Sequence, residues 1–162
     1  MPIDIHQLLD YFPTVELPVS LTDDDVAIFS RNNDPLPSDV IGKVFSQWEK
    51  IEDEFVEFVP CFKVDDREHF YAIVYWKGGL LAYEYILTTF DKQGNLVARK
   101  VIASTHAEGD IVRKSVARID EELIITIMAG EALSEHDYDP ANSQAFAMEV
   151  MPTGEIEFML SE

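Results

Sequence analysis

Phe70-Tyr-Ala-Ile-Val-Tyr-Trp-Lys-Gly-Gly-Leu-Leu-Ala-Tyr-Glu-Tyr-Ile-Leu-Thr-Thr-Phe90 decides the fold of this chain. β-Branched and aromatic residues dominate both arms, and Lys77-Gly78-Gly79 between them is a hairpin turn, because paired glycines accept positive φ without steric cost. Both arms are apolar on both sides, which suits strands covered on one face by helices and on the other by more sheet.

The period of two continues in both directions. Upstream, Val56, Phe58, Phe62 and Val64 are expected on one face of a first strand that turns at Asp65-Asp-Arg67. Downstream, Asp91-Lys-Gln-Gly94-Asn95 reverses the chain into Leu96–Ala103, and Asp120-Glu-Glu122 separates Ile111–Ile119 from Leu123–Ala129. Ala145–Met151 and Glu155–Leu160 turn at Pro152-Thr-Gly154. Phe146, Met148, Val150, Ile156, Phe158 and Leu160 alternate with Glu149, Glu155 and Glu157, so one face is wet there.

Before Phe55 the signals are helical or irregular. Ile5, Leu8, Leu9 and Phe12 recur at helical spacing across Ile3–Tyr11, and Pro13 ends that helix; Pro13 and Pro18 bracket an extended segment. Thr22-Asp-Asp-Asp25 reads as a helix start, with acids at the positive end of the dipole. Arg31–Pro37 is a loop, after which Ser38 caps a helix expected to bury Val40, Ile41, Val44, Phe45 and Trp48. Glu49–Glu54 reads as a charged linker.

The expected class is therefore α+β. N-terminal helices (1–54) pack on a twisted antiparallel meander of about seven to eight strands (55–162), either open or curled toward a barrel, which the alternation alone does not separate. A length of 162 residues fits a single domain, and 47% hydrophobic residues suffice for one core.

A formal net charge of −19 excludes several functions. Residues 1–62 hold 13 acids and 3 bases, residues 63–118 hold 7 and 9, and residues 119–162 hold 11 acids and no base. Such a surface repels nucleic-acid phosphates and anionic membranes, and it favours a basic protein partner. Lone Cys61, in an apolar stretch, reads as a buried inert thiol. The first residues lack a basic run followed by an apolar one, and no stretch reaches the ~18 apolar residues of a membrane span. A soluble, cytoplasmic protein is expected.

Motifs for chemistry fail one by one. Asp137-x-Asp139 lacks the glycine and the bidentate glutamate of a calcium loop; with Glu131, Glu135, His136, Asn142 and Ser143 it reads as a solvated loop tip. His6, His69, His106 and His136 have no metal-site spacing. Ser104-Thr-His106 has hydroxyl and base on adjacent residues of an extended chain, where they diverge. No catalytic residue, metal ligand or cofactor is assigned.

One constellation remains. A hairpin folded about His106 or Ala107 would set Arg99 and Lys100 across from Arg113 and Lys114, beside Trp76, Tyr83 and Tyr85. Like charges across a ladder demand carboxylates or a bound anion. Two functions follow as expectations. One is a non-catalytic binding module for a basic partner, with an inhibitor covering a basic enzyme's cleft as a special case. The other is an enzyme or carrier for a small anionic ligand, held by these four cations, with His106 as proton carrier.

Overall fold

A computed structural model describes residues 4–51, 55–65, 67–80, 82–132 and 138–159. Among the described residues, three short α-helices, α1 (Ile5–Leu9), α2 (Asp25–Asn32) and α3 (Ser38–Lys43), accompany nine strands. These are β1 (Val19–Leu21), β2 (Glu57–Lys63), β3 (Phe70–Gly78), β4 (Ala82–Asp91), β5 (Leu96–Glu108), β6 (Ile111–Ile119), β7 (Ile124–Ala132), β8 (Tyr138–Val150) and β9 (Ile156–Phe158). Strands β2 to β9 pair antiparallel in chain order, and β1 pairs with β6.

The sheet is open: β2 and β9 end the strand order and do not pair with each other, so of the open and barrel-like forms that the sequence allows, the open one is found. It forks instead. Strands β5 and β6 pair only from Thr105↔Lys114 to Glu108↔Ile111, beside their turn. Beyond that, β5 stays with β4, while the edge of β6 is taken by β1, which sets Leu21 opposite Ala117 and Val19 opposite Ile119. One half (β2–β5) and the other (β6–β9 with β1) thus diverge from a shared hairpin.

Both halves contribute to one apolar cluster. Phe62, Val74, Leu87 and Ile102 of the first meet Ile119, Ile125, Met148 and Ile156 of the second. The halves also touch at the β8–β9 turn, where the Thr89 hydroxyl donates to the Gly154 carbonyl at 2.6 Å. Gly154 has φ +94, and a Cβ there would lie 3.0 Å from Phe70 Cβ. Gly154→Ala is therefore expected to cost about 1–3 kcal/mol, from backbone strain and crowding, measured by urea unfolding; a neutral substitution would place this turn away from β3.

A second cluster covers the other face of the first half. Ile5, Leu8, Leu9, Phe12, Val40 and Phe45 join Phe58, Ile73, Tyr75, Ile86 and Phe90, and the Phe45 and Tyr75 rings lie 4.8 Å apart. Burial on both faces accounts for the unbroken apolar text of β3 and β4.

Local departures from expectation have identifiable causes. The face of β2 changes at a bulge between Pro60 and Phe62, so Phe58 joins the cluster with α1 and α3 while Cys61, Phe62 and Val64 join the other. Val26 and Phe29 of α2 also pack on that other cluster, so helices lie on both faces rather than one. An extra residue in one strand inverts the alternation beyond it. Asn33 Nδ2 donates to the Pro60 and Cys61 carbonyls at 2.7 and 3.0 Å, satisfying backbone acceptors at the bulge.

Helix α1 starts at Asp4, whose carboxylate accepts from the Gln7 N–H at 3.2 Å. Ahead of α2, Asp25 reaches back to the Thr22 N–H at 2.9 Å, the return half of a capping box. Helix α3 gives way at Val44 to a 3₁₀ turn, Phe45–Gln47, and Ser38 makes no side-chain cap. Asp91 binds the Gln93 and Asn95 N–H groups within its turn, which holds its carboxyl below the usual range.

The supposed long loop before β8 is mostly strand. Glu131 lies in β7 and Asp139, Asn142 and Ser143 lie in β8; Glu135, His136 and Asp137 fall outside the described residues. No helix among the described residues is long and apolar enough to cross a membrane.

Candidate functional site: the cavity at the fork

Where β5 and β6 separate, backbone groups lose their ladder partners, and the gap must be filled or solvated. Ser115 fills part of it: its hydroxyl accepts from the Ser104 N–H at 2.8 Å, and the two hydroxyl oxygens lie 3.4 Å apart. The remaining space is a cavity of about 470 Å³, within the ~300–1,000 Å³ range of small-molecule pockets.

Trp76, Tyr83 and Tyr85 form its aromatic wall, and Ser104, Thr105 and Ser115 line it with hydroxyls. Trp76 and Tyr83 stack, with centroids 5.5 Å apart and planes 21° from parallel. The indole lies over Gly78, where a Cβ would come within 2.2 Å of a ring carbon, so glycine permits this ring position. Neither Gly78 nor Gly79 takes the positive φ expected of the turn; Gly78 instead ends β3 and gives the indole its room. Tyr85 donates its hydroxyl to the Thr22 carbonyl at 2.7 Å, tying the wall to the segment that precedes α2. Burial, the main cause, and nearby carboxylates push its pKa above the ordinary phenol value, so it stays neutral.

Charge at the cavity comes from Asp23, Glu57 and Lys114. Lys114 Nζ lies 3.0 Å from Asp23 Oδ2, with side chains 35% and 41% exposed. A shallower cavity of about 380 Å³ adjoins, lined by Ser104, Arg113, Lys114, Ser115 and Gln144 among others.

The four-cation constellation does not form in the expected register. The turn lies at Gly109, with φ +59, rather than at His106 or Ala107. Arg113 therefore faces His106, Lys114 faces Thr105, and Arg99 and Lys100 pair across to Thr88 and Leu87 on β4. Lys100 Nζ sits 5.5 Å from the centre of the Phe158 ring. Of the eight residues expected at a ligand site, Trp76, Tyr83, Tyr85 and Lys114 come together at the fork, and Arg113 lines the adjoining cavity. Half-buried His106 lines neither cavity.

Arg99 belongs to a separate buried network. Its Nε and Nη2 donate to Glu49 Oε2 and Oε1 at 2.7 and 2.8 Å, and Lys77 Nζ lies 3.5 Å from Oε1. The Tyr75 hydroxyl also donates to Glu49 and accepts from Trp48 Nε1 at 2.9 Å. Hydrogen bonding to Glu49 keeps the Arg99 guanidinium more firmly charged, while burial and the same carboxylate push the Tyr75 phenol upward. Glu49, read from sequence as linker, lies four residues after Phe45, on the apolar side of that helical pattern; this spacing is the signal that marks it. Asp23 carried no such signal, because its role depends on a register 91 residues away.

Cys61 is buried, and its thiol contacts the Val59 carbonyl at 3.6 Å; burial pushes its pKa far up, away from the reactive thiolate. Among the described residues no group of three or more His, Cys, Asp or Glu could hold a metal ion. Comparison with family models, curated proteins and solved structures gives no match to this chain.

Proposed function

We propose that this chain is a non-catalytic binding module for a basic protein, and that the fork cavity receives a positively charged group of that partner. The observation that carries the reading is the cavity's composition, a Trp76–Tyr83 stack beside the carboxylates Asp23 and Glu57. Aromatic faces attract cations through their quadrupole, and adjacent carboxylates add direct Coulomb attraction. The surrounding charge supports this: residues 1–62 and 119–162 together carry 24 of the 31 acids, which steers a basic partner toward the molecule.

The test is calorimetric titration with an arginine-rich peptide at low and high salt. Binding is expected, weakened by salt, and Trp76→Ala is expected to weaken it about tenfold or more although the net charge is unchanged. No binding, or equal binding by wild type and Trp76→Ala, would refute the proposal, because charge attraction alone does not need the indole.

A second reading is favoured by one observation: Lys114 lines both cavities, with Arg113 beside it in the shallower one. A small anionic ligand could be held there by these cations and by the Ser104 and Ser115 hydroxyls. Saturating the protein with an oligoglutamate or a sugar phosphate separates the two readings. The anion reading requires a thermal shift that Lys114→Met abolishes.

A further inference from the structure

We propose that the fork cavity selects an arginine side chain, and that Lys114 is its internal competitor, holding Asp23 until an incoming guanidinium displaces it. This rests on the reading of the cavity as a cation site.

Three features favour guanidinium over ammonium. Trp76 and Tyr83 stack within 21° of parallel, with Tyr83 exposed, and a planar delocalised cation can extend such a stack where a compact hydrated ammonium does not. The acceptors are several and spread out: carboxylates at Asp23 and Glu57, and hydroxyls at Ser104, Thr105 and Ser115. Guanidinium has five donors in a rigid fork and can satisfy such a set without rotating. The indole is also held before binding by its stacking on Tyr83, over the space that Gly78 leaves open, which reduces the side-chain entropy lost on binding.

The role of Lys114 follows from where its ammonium sits. It is 3.0 Å from Asp23, the carboxylate an incoming cation needs, and the pair is about one-third exposed on each side. An ion pair at this exposure is weak and readily exchanged. Lys114 neutralises Asp23 in the free protein and repels a second cation, so it lowers affinity for every basic ligand while leaving the aromatic wall unchanged. The N-terminal end of α2 does not reverse this balance, since Asp23, Asp24 and Asp25 surround its positive pole.

The experiment titrates wild type, Lys114→Met, Asp23→Asn and Trp76→Ala with a glycine-flanked single-arginine peptide, and with its lysine and citrulline counterparts. Two-dimensional NMR supplies both affinity and a check that each variant stays folded. Lys114→Met is expected to bind the arginine peptide about threefold to tenfold more tightly. Asp23→Asn and Trp76→Ala should bind it more weakly. The lysine peptide should bind at least about threefold more weakly than the arginine peptide, and neutral citrulline more weakly still. Unchanged or weaker binding by Lys114→Met would overturn the competitor role, and equal affinity for arginine and lysine would overturn the guanidinium assignment. In either case weakening by Trp76→Ala would leave the cation-binding reading intact. If no variant differs from wild type, that broader reading fails as well.

Discussion

Replacing Glu49 with alanine is expected to lower the unfolding free energy by about 3–5 kcal/mol, the range for removing one partner of a buried ion pair. The Glu49 side chain is fully excluded from solvent, and it serves Arg99, Lys77 and Tyr75 together. Its loss leaves Lys77, 15% exposed, and Arg99, 31% exposed, without their carboxylate, and takes from the buried Tyr75 O–H the carboxylate to which it donates, although Trp48 Nε1 still donates to it. The partial exposure of Arg99 lets water compensate in part, which places the effect toward the lower end. Substituting leucine at both Glu49 and Arg99 removes the closest charge pair and leaves Lys77 alone without its carboxylate, so the double variant should lose less than the Glu49→Leu and Arg99→Leu single variants sum to. Urea unfolding of the full cycle should yield a coupling of about 1.5 kcal/mol or more. A coupling below about 0.5 kcal/mol would mean that the network contributes no more than an exposed pair.

Ile125→Ala tests whether the two halves of the forked sheet fold together. Ile125 on β7 is fully buried in the cluster that also holds Leu87 of β4, and truncating a buried aliphatic side chain costs about 2–5 kcal/mol through lost burial and the cavity left behind. Both tryptophans, Trp48 and Trp76, report on the first half: Trp48 contacts Tyr75 and Phe90, and Trp76 lies on β3. A shared core predicts that Ile125→Ala, made in the second half, moves the tryptophan-fluorescence transition as far as the circular-dichroism transition. Leu87→Ala should give the same coincidence. Separate transitions by the two probes, with fluorescence unmoved by Ile125→Ala, would show that the halves unfold independently.

The hairpins were legible because their turns carry their own chemistry. Gly78, Gly94 and Gly154 each stand where the chain reverses, and the last two have φ +92 and +94. Gly109 offered the same signal at the β5–β6 turn, but the cations either side of His106 drew the reversal two or three residues early, and that shift misaligned Arg99 and Lys100. Features set by tertiary context left weaker traces. The bulge at Pro60 inverts the burial of β2 without any glycine to mark it. Strand β1 is only three residues long, and it exists because the edge of β6 is vacant beyond Lys114. The polar residues Asp139, Asn142 and Ser143 read as a loop tip, yet they lie in β8, where Pro140 between them is tolerated because the strand there runs beyond its pairing with short β9.

The cavity followed the same division. Its aromatic members could be picked from the sequence, because Trp76, Tyr83 and Tyr85 cluster in the deciding hairpin. Lys114 was named too, for a register that does not occur. Asp23, Ser104 and Ser115 join them only through the fork, which no local pattern encodes. Nor could periodicity distinguish a closed barrel from two diverging halves, since both satisfy the same alternation.

Entry of a basic ligand into the fork beside Trp76 is read directly by the two indole N–H resonances, within one spectrum. Trp48 Nε1 is engaged by the Tyr75 hydroxyl on the face that α1 and α3 cover, whereas Trp76 lines the cavity. Titrating the ¹⁵N-labelled protein with the arginine-rich peptide, with peaks assigned through Trp76→Phe, should shift the Trp76 indole resonance along a saturating curve while that of Trp48 stays in place. A saturating titration in which the Trp76 resonance does not move, or in which both indoles shift alike, would show that the ligand binds elsewhere than the fork.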